Sequence, residues 1–515
     1  MTLLQSIWSS EALVTAAVLP GVLLLTSLLV YSRYFTPLRH IPGPLWAKVS
    51  PLYLYAICYW GIEGRVLRYH HQRLNTGVLQ IAPNTVSISD PDAIRDIYVK
   101  GGGFPKDTRY KNFNLGPVAS IFSATDIEYR SLRAKAVAPL FAPSRLRAAT
   151  AGDGVVRVLV AKFVLQLGQY KAEVGRVDIL DLCARLSIDV VTAYLLGESY
   201  GGLDEHSHLP WHDRRDAKLS ANPFIFSIVA LSRFSLLPHA VFRRIHAVSA
   251  WLSLNQDAAV SFSRLNDFIS RAMSNSKQVL RQKDEAGVGN GSTSPGEASR
   301  SSTYQGRLLE AGLSEAEAAV QSTAVVFAGA DSTAVMLTTI IFHLVQNTES
   351  YRRLKEEVLG AAGGSGVDAQ TLPYLRAVVK EGLRLGQANP TRLTRVVPES
   401  GLQVGTIYVP GGTVVGCAAS TLHLNPDVFP EPFSFRPDRW IEARGVAEME
   451  KSMMPYGAGV RACIGKNLAQ RQLHEAVFAI AESCVLDGAR TCQSRIRTRE
   501  WFNAEIEGHH LDIEW

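Results

Sequence analysis

"PYGAGVRACIGKNLAQ", residues 455–470, sets one cysteine, Cys463, in a glycine-rich turn that leads straight into a helix-forming stretch. Gly457, Gly459 and Gly465 allow a tight turn and close backbone approach. Backbone N–H groups in such a turn, with a helix N-terminus behind them, favour a thiolate, the form that binds metal. A cysteine kept as a small buried hydrophobe needs no such frame. For a single cysteine that plain packing role is still the commoner one, so the decision rests on what else the chain carries.

The chain has 515 residues, 47% of them hydrophobic, which is enough for a large buried core. Charged residues make up 19% and leave a formal net charge of +6. So mild a basic balance, without clustered basic stripes, argues against a nucleic-acid partner. It suits an acidic protein partner or an anionic membrane face. Cys58, Cys183, Cys417, Cys463, Cys484 and Cys492 are scattered, with no CxxC pair and no zinc spacing. That argues against a disulfide framework and for a reducing compartment.

The N-terminus stands apart. "ALVTAAVLPGVLLLTSLLVY", Ala12 to Tyr31, contains no charge. As a helix it would span roughly 30 Å, one hydrocarbon core. Pro20-Gly21 would kink it without forbidding insertion. No Lys or Arg precedes it, whereas Arg33, Arg39 and Lys48 follow, so the rest of the chain is expected in the cytosol. The expected division is a short lumenal stretch 1–11, a single-pass anchor 12–31, a proline-rich linker 32–45 containing Pro42-Gly43-Pro44, and one catalytic domain, 46–515. A cleaved secretory signal is the weaker alternative, because a basic n-region is missing.

Along the rest of the chain, residues 77–89 alternate around Pro83-Asn84 and predict a β-hairpin. Asp90-Pro91 opens a short helix that ends at Gly101–Gly103. Residues from about 126 to 280 are mainly helical, with loops around 199–223. Residues 284–303 are Gly/Ser-rich and predict a loop; their sequon, Asn290-Gly291-Ser292, would go unused in the cytosol. Ser314 with Glu317 makes a capping box. It opens a proline-free helix of about 34 residues, apolar on nearly all sides, which should cross the centre of a domain. A second helix runs from about Pro373 to Gly386, and residues 402–420 predict a hairpin turning at Gly411-Gly412. The fold class is mainly α with small β-sheets.

Four segments carry chemistry. Mid-way along the long helix lies Ala328-Gly329-Ala330-Asp331-Ser332-Thr333, small and polar where Leu or Val would pack better. An acid there is costly unless paired or functional, and Gly329 weakens the helix unless something approaches its backbone. A ligand-facing groove and a self-satisfied polar kink fit these residues equally well. Glu381 and Arg384 share a helix face at i, i+3 spacing. Arg439, in "FRPDRW", sits in a stiff loop from which it can complete a Glu-Arg-Arg cluster. Cys463 in its glycine turn is the fourth.

In this order the four segments resemble the cytochrome P450 family. The groove matches the family's A/G-G-x-D/E-T-T/S pattern, Glu381 with Arg384 its ExxR, and Pro437 to Trp440 its P-x-R-W/F. "YGAGVRACIG", Tyr456 to Gly465, matches F-x-x-G-x-R-x-C-x-G at all but the first position. The resemblance covers about residue 36 to the C-terminus. It implies the P450 fold, with the long helix passing over heme b (iron protoporphyrin IX) and 46–515 as a heme-thiolate domain. Cys463 would be the axial metal ligand, framed by Tyr456, Gly457 and Gly465. Arg461, Arg133 (in "EYRSLRAK") and Arg395 would contact heme propionates. Asp331, Ser332 and Thr333 would manage proton delivery. Glu381, Arg384 and Arg439 would be structural. Ser332 stands where the family usually has Thr, Tyr456 where it has Phe, and Tyr129 where it has Trp or His.

The implied reaction is mono-oxygenation of an apolar small molecule, of the kind fungal microsomal members perform on secondary metabolites. A heme-thiolate isomerase or dehydratase that needs neither O₂ nor reductase is the alternative. No flavin or nicotinamide domain is visible, so electrons would come from a separate NADPH–cytochrome P450 reductase at the endoplasmic reticulum membrane. Arg130, Lys135, Lys466 and Arg471 are candidates for docking it. Phe113, Phe122, Phe327 and Ala328 are candidates for the substrate pocket.

Overall fold

A helix of 32 residues, Glu315–Gln346, runs through the middle of the molecule. At about 1.5 Å per residue it is roughly 48 Å long. Ser314 caps it as expected, its hydroxyl accepting from the Glu317 N–H at 3.3 Å. The computed structural model describes residues 19–23, 26–27, 30, 36–251, 256–287, 302–362, 367–442 and 444–515.

Helices pack around the central one because its small residues let them approach. The helix Ile179–Leu196, buried over nearly its whole length, lies along it. A Cβ at Gly329 would come within 2.7 Å of Val191 Cγ2. The glycine of the expected groove therefore serves helix packing rather than the approach of a ligand to the backbone. On another side lies the helix Pro373–Gly386, where a Cβ at Gly382 would meet Ile340 Cγ1 at 2.2 Å. The helix Lys466–Glu482, which the cysteine turn leads into, also packs against the central helix.

The strands form small sheets. Val78–Ala82 and Thr85–Ile88 pair antiparallel, with Val78 opposite Ile88, as the alternation at 77–89 predicts. Val414–Cys417 joins this hairpin in parallel, and Arg395–Val396 completes the sheet. The expected hairpin over 402–420 is corrected. Leu402–Val404 pairs with Ile407–Val409 across Gly405, whose φ of +54° makes the turn. Gly412, also at positive φ, sends the chain away so that Val414–Cys417 pairs with Thr85–Ile88 instead. The apolar run Val414–Cys417 finds its partner far away in sequence, which local alternation does not reveal.

Of the expected anchor 12–31, residues 19–23, 26–27 and 30 are described, and all are helical. Its remainder and the sequon at Asn290 lie outside the described residues. Among the described residues, the helix long and apolar enough to cross a membrane is Glu315–Gln346; 72% of its apolar window is buried, as befits a core helix.

Candidate active site

The cysteine turn is built from short-range hydrogen bonds. Gly457 N–H donates to Met454 O at 3.0 Å, Cys463 N–H to Tyr456 O at 2.9 Å, and Ala462 N–H to Gly459 O at 3.0 Å. Gly457 and Gly459 both have φ of +68°. At Gly459 the demand is double, because a Cβ would also lie 1.8 Å from Tyr98 O. Gly465 is different: its φ of −82° is ordinary, and a Cβ would sit 3.8 Å from Cys463 Sγ, a normal contact.

Cys463 is accessible to solvent, yet protein packs densely around its sulfur, so it lies in a recess. Burial pushes its pKa up, while the N–H groups of Gly465 and Lys466 and the Lys466 charge pull it down. Burial wins, which corrects the expectation that the turn by itself favours the thiolate. A metal cation at the sulfur would tip the balance the other way. Tyr456 lies beside the thiol, and its buried hydroxyl has no partner among the described residues.

Next to this recess four cations converge: Lys106, Arg130, Arg395 and Arg461. Arg461 reaches back from the cysteine turn to Ala124 O (2.8 Å) and Thr125 O (3.2 Å), and Arg395 donates to Thr394 O (2.9 Å). Lys106 lies 4.0 Å over the Tyr110 ring and donates to Phe122 O. Burial, then repulsion from Arg130 and Arg395, lowers Arg461 to about 10. Burial and the same kind of repulsion hold Lys106 well below its usual value. No carboxylate of the described residues forms a salt bridge with any of the four. Lys106 and Arg395 are buried and Arg130 and Arg461 half-buried, and a like-charged cluster of this kind calls for an anion.

Arg133 is not brought to this cluster. It pairs with Glu317, Nε to Oε1 at 2.5 Å, and lies 3.2 Å over the Tyr129 ring, while Tyr129 Oη donates to the same carboxylate at 2.8 Å. One helical turn earlier, Arg130 lies close to Lys106 and Arg461. The sequence reading missed Lys106 as a site residue and placed Arg130 on the surface; nothing local marks either.

On the central helix, Ala328 is exposed in mid-helix while Ala330, Asp331, Thr333 and Ala334 are buried. Ser332, one turn on, shares the open face and donates to Ala328 O at 2.8 Å. Asp331 turns to another side, where Asn503 Nδ2 donates to its Oδ2 at 3.1 Å. Burial there raises its pKa to about 7, and Glu505 adds to the rise. The acid and the Ser332 hydroxyl are therefore not in contact. Phe113 and Phe122 join Tyr110 and Phe502 in an aromatic cluster, with Phe113 and Phe502 centroids 4.5 Å apart, whereas Phe327 packs against the core.

The Glu-Arg-Arg cluster forms and is buried. Arg384 grips Glu381 with two bonds of 2.9 and 2.8 Å, Arg439 adds one of 3.1 Å, and Trp440 Nε1 another of 2.8 Å. Arg384 also ties down the carbonyls of His423, Pro432 and Ser434. Arg384 thus also clamps the chain between His423 and Ser434, upstream of the cysteine turn. Of the proposed docking cations, Lys135 and Lys466 are exposed. Arg130 is half-buried, and Arg471 is buried against Asp368 (2.5 Å) and Glu475 (3.6 Å), which corrects its assignment to a docking surface.

The family model for cytochrome P450 matches residues 76–487. The chain belongs to the cytochrome P450 family. It is 54% identical over 507 residues to the cytochrome P450 monooxygenase mfmF of Annulohypoxylon moriforme, spanning 96% of this chain and 99% of that one. It is 29% identical to the cytochrome P450 monooxygenase hkm5 of Aspergillus hancockii, over 92% and 89% of the two chains. It is 27% identical to pisatin demethylase of Fusarium vanettenii, over 94% and 88%. The chain is a P450 monooxygenase, and the family implies heme. The residues present fit that group. A recessed cysteine receives N–H donors from its own turn, the central helix is open at Ala328, and the four cations suit the two carboxylates that heme carries.

Proposed function

We propose that this P450 holds heme b through the Cys463 thiolate, takes electrons from NADPH through a separate reductase, and oxygenates an apolar metabolite. When bound, heme would supply activation of O₂ and insertion of one oxygen atom into the substrate. The observation that carries the reading is the recessed Cys463 beside a cation cluster that forms no salt bridge among the described residues.

Arg461, Arg395, Lys106 and Arg130 neutralise the propionates. The N–H groups of Gly465 and Lys466 hold the sulfur and temper its basicity. Ser332, rather than buried Thr333, is the hydroxyl on the open face and moves a proton at its Oγ. Asp331 holds a proton near neutral pH. Glu381, Arg384 and Arg439 fix the chain upstream of the cysteine turn. Residues 12–31 anchor the chain in the endoplasmic reticulum membrane with the catalytic domain in the cytosol, and Lys135 and Lys466 face the reductase. Fungal relatives, one of them named for demethylating pisatin, support a place in secondary metabolism.

The test is the CO difference spectrum of the reduced recombinant protein, wild type beside Cys463→Ala. A strongly red-shifted Soret band in wild type, lost in the variant, is expected. Wild-type protein without heme, or one spectrum shared by both, refutes the assignment.

A further inference from the structure

On the side of the central helix that Asp331 faces, a cavity of about 30 Å³ is lined by Asp331, Glu505, His509, Asn222, Phe226 and Ala334 among others. That is room for one or two water molecules. Glu505 lies in the strand Ala504–Ile506, its side chain 8% exposed. Its cations, Arg499 Nε at 3.7 Å and His509 Nε2 at 3.9 Å, both stand beyond hydrogen-bond distance. Burying a carboxyl is costly unless it is paired and hydrogen-bonded. Here Asp331 accepts a bond from Asn503, and the Glu505 carboxyl accepts none among the described residues. Two acids so loosely held beside a water-sized space are unexplained by packing.

His509 stands at the outer end. Its ring stacks on Phe226, centroids 4.1 Å apart, and its side chain is 40% exposed. Its φ of +55° is one that a residue with a side chain rarely adopts. A turn holds it there, His509 N–H donating to Ile506 O at 3.1 Å. The ring therefore meets both solvent and Glu505. Arg499, Arg233 and Glu507 also act on Glu505, Arg499 and His510 on His509, and Glu505 on Asp331. Burial lifts the Glu505 carboxyl above its usual range and holds the His509 ring below its own, which brings both closer to Asp331 in proton affinity. Asp181, the cavity's third acid, is already gripped by Arg185 and Asn222 at 2.7 Å each.

We infer that His509, Glu505 and a water in this cavity form the route by which Asp331 takes its proton from solvent. His509, protonated from solvent, gives a proton from Nε2 to Glu505 Oε2. The Glu505 carboxyl gives one to the cavity water, and the water gives one to the Asp331 carboxylate. At each step one N–H or O–H bond breaks as one O–H bond forms, and every electron pair stays on its heavy atom. The 3.9 Å between His509 and Glu505 closes to hydrogen-bond length by a small rotation of the ring. The inference rests on the reading of Asp331 as a proton holder in the monooxygenase above. It adds two positioning residues that act through Asp331.

The experiment is stopped-flow infrared spectroscopy of the full-length holoenzyme, mixed from H₂O into D₂O at about pH 6, where Asp331 keeps its proton. The shift of the Asp331 carboxyl band, assigned by its loss in Asp331→Asn, reads how fast that proton exchanges. Glu505→Gln should slow the exchange about tenfold or more, and Glu505→Asp should recover part of the rate. His509→Asn, which suits a positive φ but carries no titratable ring, should slow it as well and makes the same comparison should Glu505→Gln misfold. A merely structural role would lower Tm and leave the exchange rate unchanged. A crystal structure of the holoenzyme should show a water within hydrogen-bond distance of both Asp331 and Glu505. Wild-type exchange in Glu505→Gln or His509→Asn overturns the inference, as does a dry cavity. The CO spectrum of each preparation separates the two failures. A missing thiolate band refutes the heme-thiolate reading, whereas a normal band with wild-type exchange in the variants refutes only the proton route.

Discussion

Asp331 shows how one residue's surroundings set its chemistry. An aspartate in the unfolded chain titrates near 3.8, whereas here burial raises the carboxyl to about 7. Folding therefore takes up a proton at this site between those values. The stability tied to that proton is fully present below about pH 4 and is lost as pH rises through 7. Asp331→Asn removes the loss and keeps an acceptor for Asn503. The variant should melt above wild type at pH 8, by at most about 4 kcal/mol, with the advantage gone at pH 4. Thermal melts at both pH values check this; a difference that does not change with pH contradicts it. The acid's position was legible in the sequence as a costly residue in an apolar helix. Its partner, Asn503, was not, because 172 residues separate the two. Lys106 and Arg130 were hidden for the same reason, since their role exists only where distant loops meet.

At the scale of elements, glycines decide how closely helices cross. Gly382 lies between Glu381 and Arg384 on the face that meets the central helix, and a Cβ there would reach 2.2 Å from Ile340 Cγ1. Gly382→Ala should push the two helices apart and cost about 1–3 kcal/mol, read as a lower Tm. Ile340→Ala in the same chain should recover part of it. An unchanged Tm in Gly382→Ala would show that the crossing yields freely. The boundaries of the helix Pro373–Gly386 and of the first hairpin follow from proline, glycine and alternation, which act locally. The reassigned turn at Gly405 shows where that logic stops. Gly405 and Gly411-Gly412 both permit reversal, and the choice falls to the strand that Val414–Cys417 finds in Thr85–Ile88.

For the whole molecule the question is which face meets the electron donor. Arg461 ties the cysteine turn to the start of the helix Ile127–Val137, and Lys135 in that helix's last turn and Lys466 just past the cysteine turn are both exposed. Lys135→Glu should slow reduction by reductase a few-fold, most at low salt, with heme content and CO spectrum unchanged. Stopped-flow reduction rates measure this, and unchanged rates would remove Lys135 from the docking face. Arg471→Glu should instead leave little folded protein, because it sets a third carboxylate against Asp368 and Glu475 inside the protein.

The sequence by itself determined the central helix, the Glu381–Arg384 pair and Cys463 in its turn. Each depends on spacing within a helix or on the backbone freedom of a few neighbouring residues, and such signals survive in a linear chain. Tertiary structure alone decided that Arg133 pairs with Glu317 while Arg130 and Lys106 join Arg461. It also placed Asp331 away from Ser332 and buried Arg471. Charges are positioned by whatever burial and partners surround them, and those surroundings come from segments far apart in the chain.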